Sequence, residues 1–251
     1  MAVQMGIIPL QGTIGNINFY KRGGKYFARG KVGVDANRIA IDAKFQRSRE
    51  NAAEFGAAFK ATKLLRTAFQ SLVNATHDKR MMLRLTSKMI SVLQADTESP
   101  RGMRKVIEGN VELLEGFEFN EQGNLRTTFV GLYASDINRI TGELKISIPP
   151  FNPLELVTAP PAATHFKFIS AGGAIDFENN SCTVDVHSGP ELLLNDVQTE
   201  EIVFNNIVPA NSTHTFFLLL GVEFIQQVNA AMYPLKDRSF NALAIVKVST
   251  L

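Results

Sequence analysis

The chain of 251 residues has one cysteine, Cys182. A lone thiol excludes an intramolecular disulfide and any cysteine-based metal cluster. The expectation for Cys182 is a buried, small hydrophobic role. Tryptophan is absent and tyrosine occurs four times, against 18 phenylalanines. The aromatic content therefore reads as core filling, with little of the polar handle that Trp and Tyr lend to exposed sites. Long apolar runs are missing too. The longest, Phe216 to Val222, falls far short of the ~20 residues needed to span a bilayer. The start, Met1 to Gly6, lacks a basic region and its apolar run stops at Pro9, so no secretory signal is expected. The expected history is synthesis in the cytoplasm, with any exit inside a particle or by lysis.

Catalytic signatures are equally scarce. The four histidines, His77, His165, His187 and His214, include no pair at metal-ligand spacing on one element. They read as surface or edge-strand residues. There is no Gly-x-Ser-x-Gly, His-Glu-x-x-His or P-loop. Gly12-Thr13-Ile14-Gly15 is not a dinucleotide fingerprint, because no βαβ unit surrounds it. Glu112, Glu115 and Glu118 are the one carboxylate group with cation-binding spacing, and a solvated acidic face is the preferred reading. No catalytic residue, cofactor or metal is assigned, and no enzyme is expected.

What is present is a foldable composition: 45% hydrophobic and 20% charged residues, enough for one large or two ordinary domains. The net charge of +2 conceals a division. Residues 1–105 hold 19 Lys+Arg and 7 Asp+Glu, a net +12; residues 106–251 hold 7 and 17, a net −10. A basic half invites a polyanion. Joined to an acidic half, it equally invites head-to-tail association of identical chains.

Periodicity predicts an α+β chain in three parts. Residues 1–42 are a glycine-rich β-hairpin arm, with Lys21-Arg22-Gly23-Gly24-Lys25 as its turn, because paired glycines supply positive φ cheaply. A lone hairpin is marginal in water, so it must find a second sheet edge or a surface. Val34 to Arg38 reads as a loop, with Asp42 as a helix N-cap. Residues 43–115 are a basic helical region. A long helix from Ala43 to Asn74 turns Phe45, Phe55, Phe59, Leu65, Phe69, Leu72 and Val73 inward, and Gly56 marks a candidate kink. A second helix over Lys79 to Ala95 makes a helical hairpin with it. A third starts at Ser99-Pro100. Residues 116–251 are an antiparallel β-sandwich. Its expected strands include Phe117–Phe119, Leu125–Tyr133, Leu144–Ile148, His165–Ser170, Ala174–Glu178, Ser181–His187, Glu201–Ile207, Thr215–Val228 and Phe240–Val248, with Gly172-Gly173 as a turn.

The arm carries the candidate contact residues Tyr20, Lys21, Arg22, Lys25, Tyr26, Phe27 and Arg29. Basic residues among aromatics have the ingredients of a nucleic-acid stacking platform. They also suit an edge hairpin that uses charge to refuse wrong strand partners, or an arm that docks on the acidic half of a neighbour. The acidic surplus in the same chain favours the last.

Several stretches carry a resemblance. They are Gly12-Thr13-Ile14-Gly15-Asn16-Ile17-Asn18-Phe19-Tyr20, then Gly24-Lys25 with Arg29, then Phe45 to Asn51 with Phe55-Gly56, then Lys63-Leu64-Leu65-Arg66, and finally Asn229 to Lys236. In these the chain resembles an uncharacterised protein family of Bacteroidota. The glycine-rich strand pair followed by a Gln-Arg helix is more loosely similar to small bacterial and phage proteins. The resemblance implies a bacterial or phage source and no activity. The leading expectation is a structural, self-assembling homo-oligomer: a subunit of a filament, tube, shell or phage-like particle. A nucleic-acid-binding or nucleoprotein component is the alternative, and a carbohydrate- or protein-binding module a third.

Overall fold

The computed structural model describes residues 2–5, 8–30, 33–76 and 78–250. Met1, Gly6, Lys31 and His77, named above, lie outside the described residues. The chain divides into two units, Met1–Arg49 and Glu50–Leu251.

In the first unit, β1 (Ala2–Val3), β2 (Gly12–Ile14), β3 (Ile17–Arg22) and β4 (Lys25–Gly30) form an antiparallel sheet of order β1-β4-β3-β2. The expected hairpin is β3–β4. Its two-residue turn puts Gly23 at φ 58° and Gly24 at φ 78°, the left-handed pair that a type I′ turn requires. A strand is added on either side of this hairpin. Gln4 prolongs the β1 edge: its N–H donates to the Tyr26 carbonyl at 2.9 Å, and its side-chain oxygen accepts from the Leu10 N–H at 2.9 Å. Val34 to Arg38 is not the expected loop. Asp35 accepts the Asn37 N–H at 3.3 Å and starts the helix α1 (Ala36–Ile41), because a carboxylate there satisfies an orphan helix donor. Asp42 does cap, accepting from Lys44 N–H at 2.9 Å at the head of a single 3-10 turn, Ala43–Phe45. None of the described residues in 2–49 is buried.

The helix α2 (Gln46–Ala68) begins at the unit boundary and runs unbroken through Gly56. It stops at Phe69, whose backbone lies outside the helical region, and α3 (Gln70–Val73) follows. The inward stripe is Glu54, Ala58, Ala61, Thr62 and Leu65. Phe55 and Phe59 are 54% and 46% exposed. Leu65, Phe69, Leu72 and Val73 are buried as expected, but in the first half of the helix the inner face lies one residue earlier, at Glu54 and Ala58 in place of Phe55 and Phe59. The alanines Ala58 and Ala61, and not the two phenylalanines, are the buried apolar residues of this stretch. The expected second helix is α4 (Met81–Gln94), which buries Met81, Leu85, Met89, Val92 and Leu93.

The third helix does not form at Ser99-Pro100. The buried Asp96 carboxylate takes the N–H groups of Glu98, Ser99 and Lys105 at 3.0, 2.9 and 3.1 Å. That side-chain competition holds a looped turn in place of a helix start. Only a 3-10 turn, Val111–Leu114, follows. The strand expected over Leu125–Tyr133 is also absent. Asn124 caps a one-turn helix α5 (Leu125–Thr128) by accepting from Arg126 N–H at 3.0 Å.

The remaining elements are β5 (Ala134–Asn138), β6 (Glu143–Ile148), α6 (Pro153–Leu156), β7 (His165–Asp176), β8 (Ser181–Ser188), β9 (Leu192–Leu193), β10 (Ile202–Ile207), β11 (Thr215–Val228), β12 (Ala231–Pro234) and β13 (Ala242–Ser249). A three-stranded sheet has the order β10-β6-β5. A six-stranded sheet runs β12-β11-β7-β8, with β13 on β11 and β9 on β7. All these pairings are antiparallel.

The central strands of the larger sheet, β7, β11 and β13, are buried on both faces over most of their length, so Phe216–Val222 of β11 reads as a continuous apolar run. Phe216, Leu218, Leu220, Val222 and Phe224 of β11 share a core with Leu144, Ile146, Ile148 and Phe204 of the smaller sheet. Phe217 and Leu219, one residue out of phase, share the other core with Leu65, Phe69, Leu85 and Met89 of the helices. The pair Gly172-Gly173 lies mid-strand in β7, not at a turn. A Cβ on Gly173 would sit 2.6 Å from the Phe69 ring, and one on Gly172 would sit 2.6 Å from the Asn206 Cβ. The two glycines let a layer approach closely on each face. Cys182 is exposed, not buried. It lies near the turn end of the edge strand β8, paired with Ile175.

Candidate functional site

The register of β3 and β4 sorts the seven candidate residues onto two faces. Tyr20 stands opposite Phe27, Lys21 opposite Tyr26, Arg22 opposite Lys25, and Asn18 opposite Arg29. Side chains alternate along a strand. Tyr20, Arg22, Lys25, Phe27 and Arg29 therefore share one face with Val3 and Thr13. Lys21 and Tyr26 lie on the other with Ile14, Ile17 and Phe19.

Side-chain contacts agree with this division. The Tyr20 and Phe27 rings stack with centroids 5.7 Å apart, and the Arg29 guanidinium lies 5.3 Å from the Tyr20 centroid. On the opposite face the Lys21 ammonium lies 5.3 Å from the Tyr26 centroid. Such cation–aromatic contacts orient the charge and contribute roughly 0.5–1 kcal/mol at exposed sites. Among the described residues, Lys21, Arg22, Lys25 and Arg29 have no carboxylate within ion-pair distance. The first face is basic and aromatic. The second is the more apolar, with Ile14 63% and Ile17 46% exposed.

The second unit offers two grooves at its sheet edges. One, of about 900 Å³, lies along β12 between Pro160, Pro161, Tyr233, Leu235 and Phe240. The other, of about 690 Å³, lies where the edge strands β8 and β10 meet, between His187, Pro190, Leu192, Glu200, Glu201 and Phe204. Asn206 joins these edges. Its amide donates to the Asp185 carbonyl at 3.0 Å, and its oxygen accepts the Ser170 hydroxyl at 2.6 Å. Sequence reasoning missed the second groove. Its signal was nonetheless present: no Lys or Arg occurs between Lys167 and Lys236, a span with eight Asp+Glu.

The titratable groups noted in the sequence serve the fold. His165 is buried, contrary to expectation, with Nδ1 2.9 Å from the Thr164 hydroxyl. His187 Nε2 lies 3.0 Å from Asp185, whose carboxylate also accepts the Ile207 N–H at 2.8 Å. Burial works to raise the Asp185 carboxyl, but these donors together hold it below its ordinary value. His214 Nε2 is 3.4 Å from Asp176. Glu115 and Glu118 each accept a backbone N–H, from Val248 at 2.7 Å and Leu125 at 3.0 Å. Burial pushes the Glu118 carboxyl up, against that hydrogen bond and Arg126. Among the described residues no three His, Cys, Asp or Glu converge as a metal site, and no helix is long and apolar enough to cross a membrane. No family model, no curated protein and no solved structure matches the chain.

Proposed function

We propose that the chain is a structural, self-assembling protein, a subunit of a filament, tube, shell or phage-like particle, linked to neighbouring copies through its N-terminal sheet. One observation carries this reading. The sheet has four strands and well-formed turns, yet none of the described residues in 2–49 is buried. A sheet normally buries at least one face against another layer. Here Ile14, Ile17, Phe19, Tyr20, Tyr26 and Phe27 remain exposed or half-buried, and a neighbour supplies the missing cover. Moving a half-exposed side chain of this size into a core contributes roughly 1 kcal/mol. Ile14, Ile17, Phe19 and Tyr26 lie on one face and Tyr20 and Phe27 on the other, so a neighbour on the first face supplies on the order of 4 kcal/mol and one on the second about 2 kcal/mol, at or below the lowest estimates for the entropic cost of association. Charge must therefore contribute as well, and assembly is salt-dependent. In this reading the two C-terminal sheets are a β-sandwich body on which the sheet of the next copy rests, and the chain has no enzymatic role.

The test is sedimentation velocity and negative-stain microscopy of the full chain at low and high salt, beside a variant lacking residues 1–31. Full-length protein assembles at low salt and the truncated protein stays monomeric. A monomeric full-length chain, or undiminished assembly after truncation, overturns the reading. The basic–aromatic face favours a second reading, a nucleic-acid component. It calls for salt-sensitive retention of DNA or RNA, and protein that ignores both at low salt removes it.

A further inference from the structure

We propose that the acidic groove between β8 and β10 of one copy receives the basic–aromatic face of the N-terminal sheet of another copy. The inference rests on the assembly reading above and names its acceptor surface.

Charge bookkeeping leads to this groove. Residues 1–49 hold nine Lys+Arg against two Asp+Glu, leaving 17 against 22 in residues 50–251. The eight carboxylates between Lys167 and Lys236 fall into two groups. Asp176 and Asp185 accept backbone N–H groups, Glu178 pairs with Lys105 at 3.3 Å, and Glu223 pairs with Lys167 at 3.0 Å. The other four, Glu191, Asp196, Glu200 and Glu201, are exposed. Among the described residues they have no cationic partner. All four fall within eleven consecutive residues. Glu200 and Glu201 line the groove, and Glu191 sits between its lining residues Pro190 and Leu192. The uncompensated negative charge of this span is gathered at one edge of the second unit.

The opposing face of the N-terminal sheet has the matching composition. Arg22, Lys25 and Arg29 surround the stacked Tyr20–Phe27 pair. The groove sets Leu192 and Phe204 beneath its carboxylates, with Val203 45% exposed beside them. In the proposed contact the aromatic rings meet the apolar lining of the groove while the three cations meet Glu200, Glu201 and the neighbouring Glu191. Opposite charges at the rim of an apolar contact accelerate encounter and fix orientation. The contact is heterologous, since donor and acceptor surfaces differ. Repeated from copy to copy, such a contact builds a closed ring or an open filament, according to whether the rotation between copies closes.

Reciprocal charge reversal in the full chain tests this. Glu200→Lys with Glu201→Lys reverses the groove; Arg22→Glu with Lys25→Glu reverses the sheet. All four positions are exposed, and far-UV circular dichroism confirms that both variants fold. Each variant alone is expected to need about tenfold more protein, or higher, for half-assembly at low salt. An equimolar mixture recovers assembly, because each altered groove meets an altered sheet and each native groove a native one. Loss in both variants with recovery on mixing supports the proposal. Four outcomes overturn it. A groove variant that assembles like the native chain leaves assembly standing with another acceptor surface. Mixing that restores nothing refutes the pairing of these two surfaces. A sheet variant that loses only oligonucleotide binding makes the basic face a polyanion site. A native chain that stays monomeric under all salt conditions removes the assembly reading itself, and this inference with it.

Discussion

The contact between Phe69 and Gly173 sets how closely the helices approach the six-stranded sheet, and its energy can be worked out. Phe69 is fully buried, and a methyl on Gly173 would lie 2.6 Å from its Cζ and 3.1 Å from Cε1. Carbon atoms rest at about 3.5–4.0 Å, so the ring or the strand must give by roughly 1 Å. Overpacking of that kind costs about 1–3 kcal/mol. Against it, Gly→Ala in a strand gains about 0.5–1 kcal/mol. Gly173→Ala should therefore destabilise by about 1–2 kcal/mol. Phe69→Leu removes the clashing atom, and alone it costs about 1–2 kcal/mol through the space it leaves. Together the two changes fill that space. The double variant should be more stable than the sum by about 1 kcal/mol or more. Gly172→Ala is the control: its methyl meets Asn206 on the opposite face and should not couple to Phe69→Leu. Urea unfolding followed by far-UV circular dichroism measures the native chain, the three single variants and the two double variants, six proteins in all, since the chain has no tryptophan to report. Additivity within about 0.3–0.5 kcal/mol for the Phe69–Gly173 pair, or equal coupling for Gly172, would refute the reasoning.

Two further outcomes follow from polar groups that hold several hydrogen bonds. The N–H of Ser99 above all, with those of Lys105 and Glu98, holds the Asp96 carboxyl at about 2 against an ordinary 3.8. A depressed carboxyl stabilises the fold above its unfolded value and loses that contribution as pH falls through the folded one. The urea midpoint of the native chain should exceed that of Asp96→Asn at about pH 5, and the gap should close toward about pH 2; a gap independent of pH contradicts this. Arg139 donates to the carbonyls of Ser249, Ser212 and His214, each at 2.8 Å, and lies 4.4 Å from the Phe216 centroid. Lysine keeps the charge but not the planar fork, so Arg139→Lys should cost about 2 kcal/mol, and an unchanged urea midpoint would show that the fork contributes nothing.

The legibility of each element depended on how its neighbours cover it. β6 is buried on one face and alternates cleanly, with Leu144, Ile146 and Ile148 inward, so its period was plain. β11 was found because Phe216–Val222 is buried on both faces and reads as one apolar run. Failures cluster where a side chain redirects the backbone, as at Asp96 and Asn124, or where glycine serves packing, as in β7. In α2 the larger residues misled: Phe55 and Phe59 mark an outward stripe, while Ala58 and Ala61 are buried. The basic–aromatic arm was visible because its residues are contiguous in sequence. The acidic residues Glu191 to Glu201 are contiguous too, but the groove they border was not visible, because β8 and β10 become neighbours only in the fold, through the Asn206 bridge.

The two units differ in what holds them. The second has two cores with phenylalanines at 0% exposure on each. The first has sheet hydrogen bonds, capped turns and no buried described residue. Backbone hydrogen bonds exchanged with water contribute only about 1 kcal/mol each in net terms, and ordering a residue costs about as much. A sheet without an apolar cover therefore has little stability of its own, and whatever covers it adds stability by mass action. The Gly23-Gly24 turn and the Gln4 clasp reduce the ordering left to be done on contact. Pre-ordered strands with uncovered faces suit an element whose energetic partner is another molecule, and in a chain with segregated charge another copy brings the complementary surface at the same concentration.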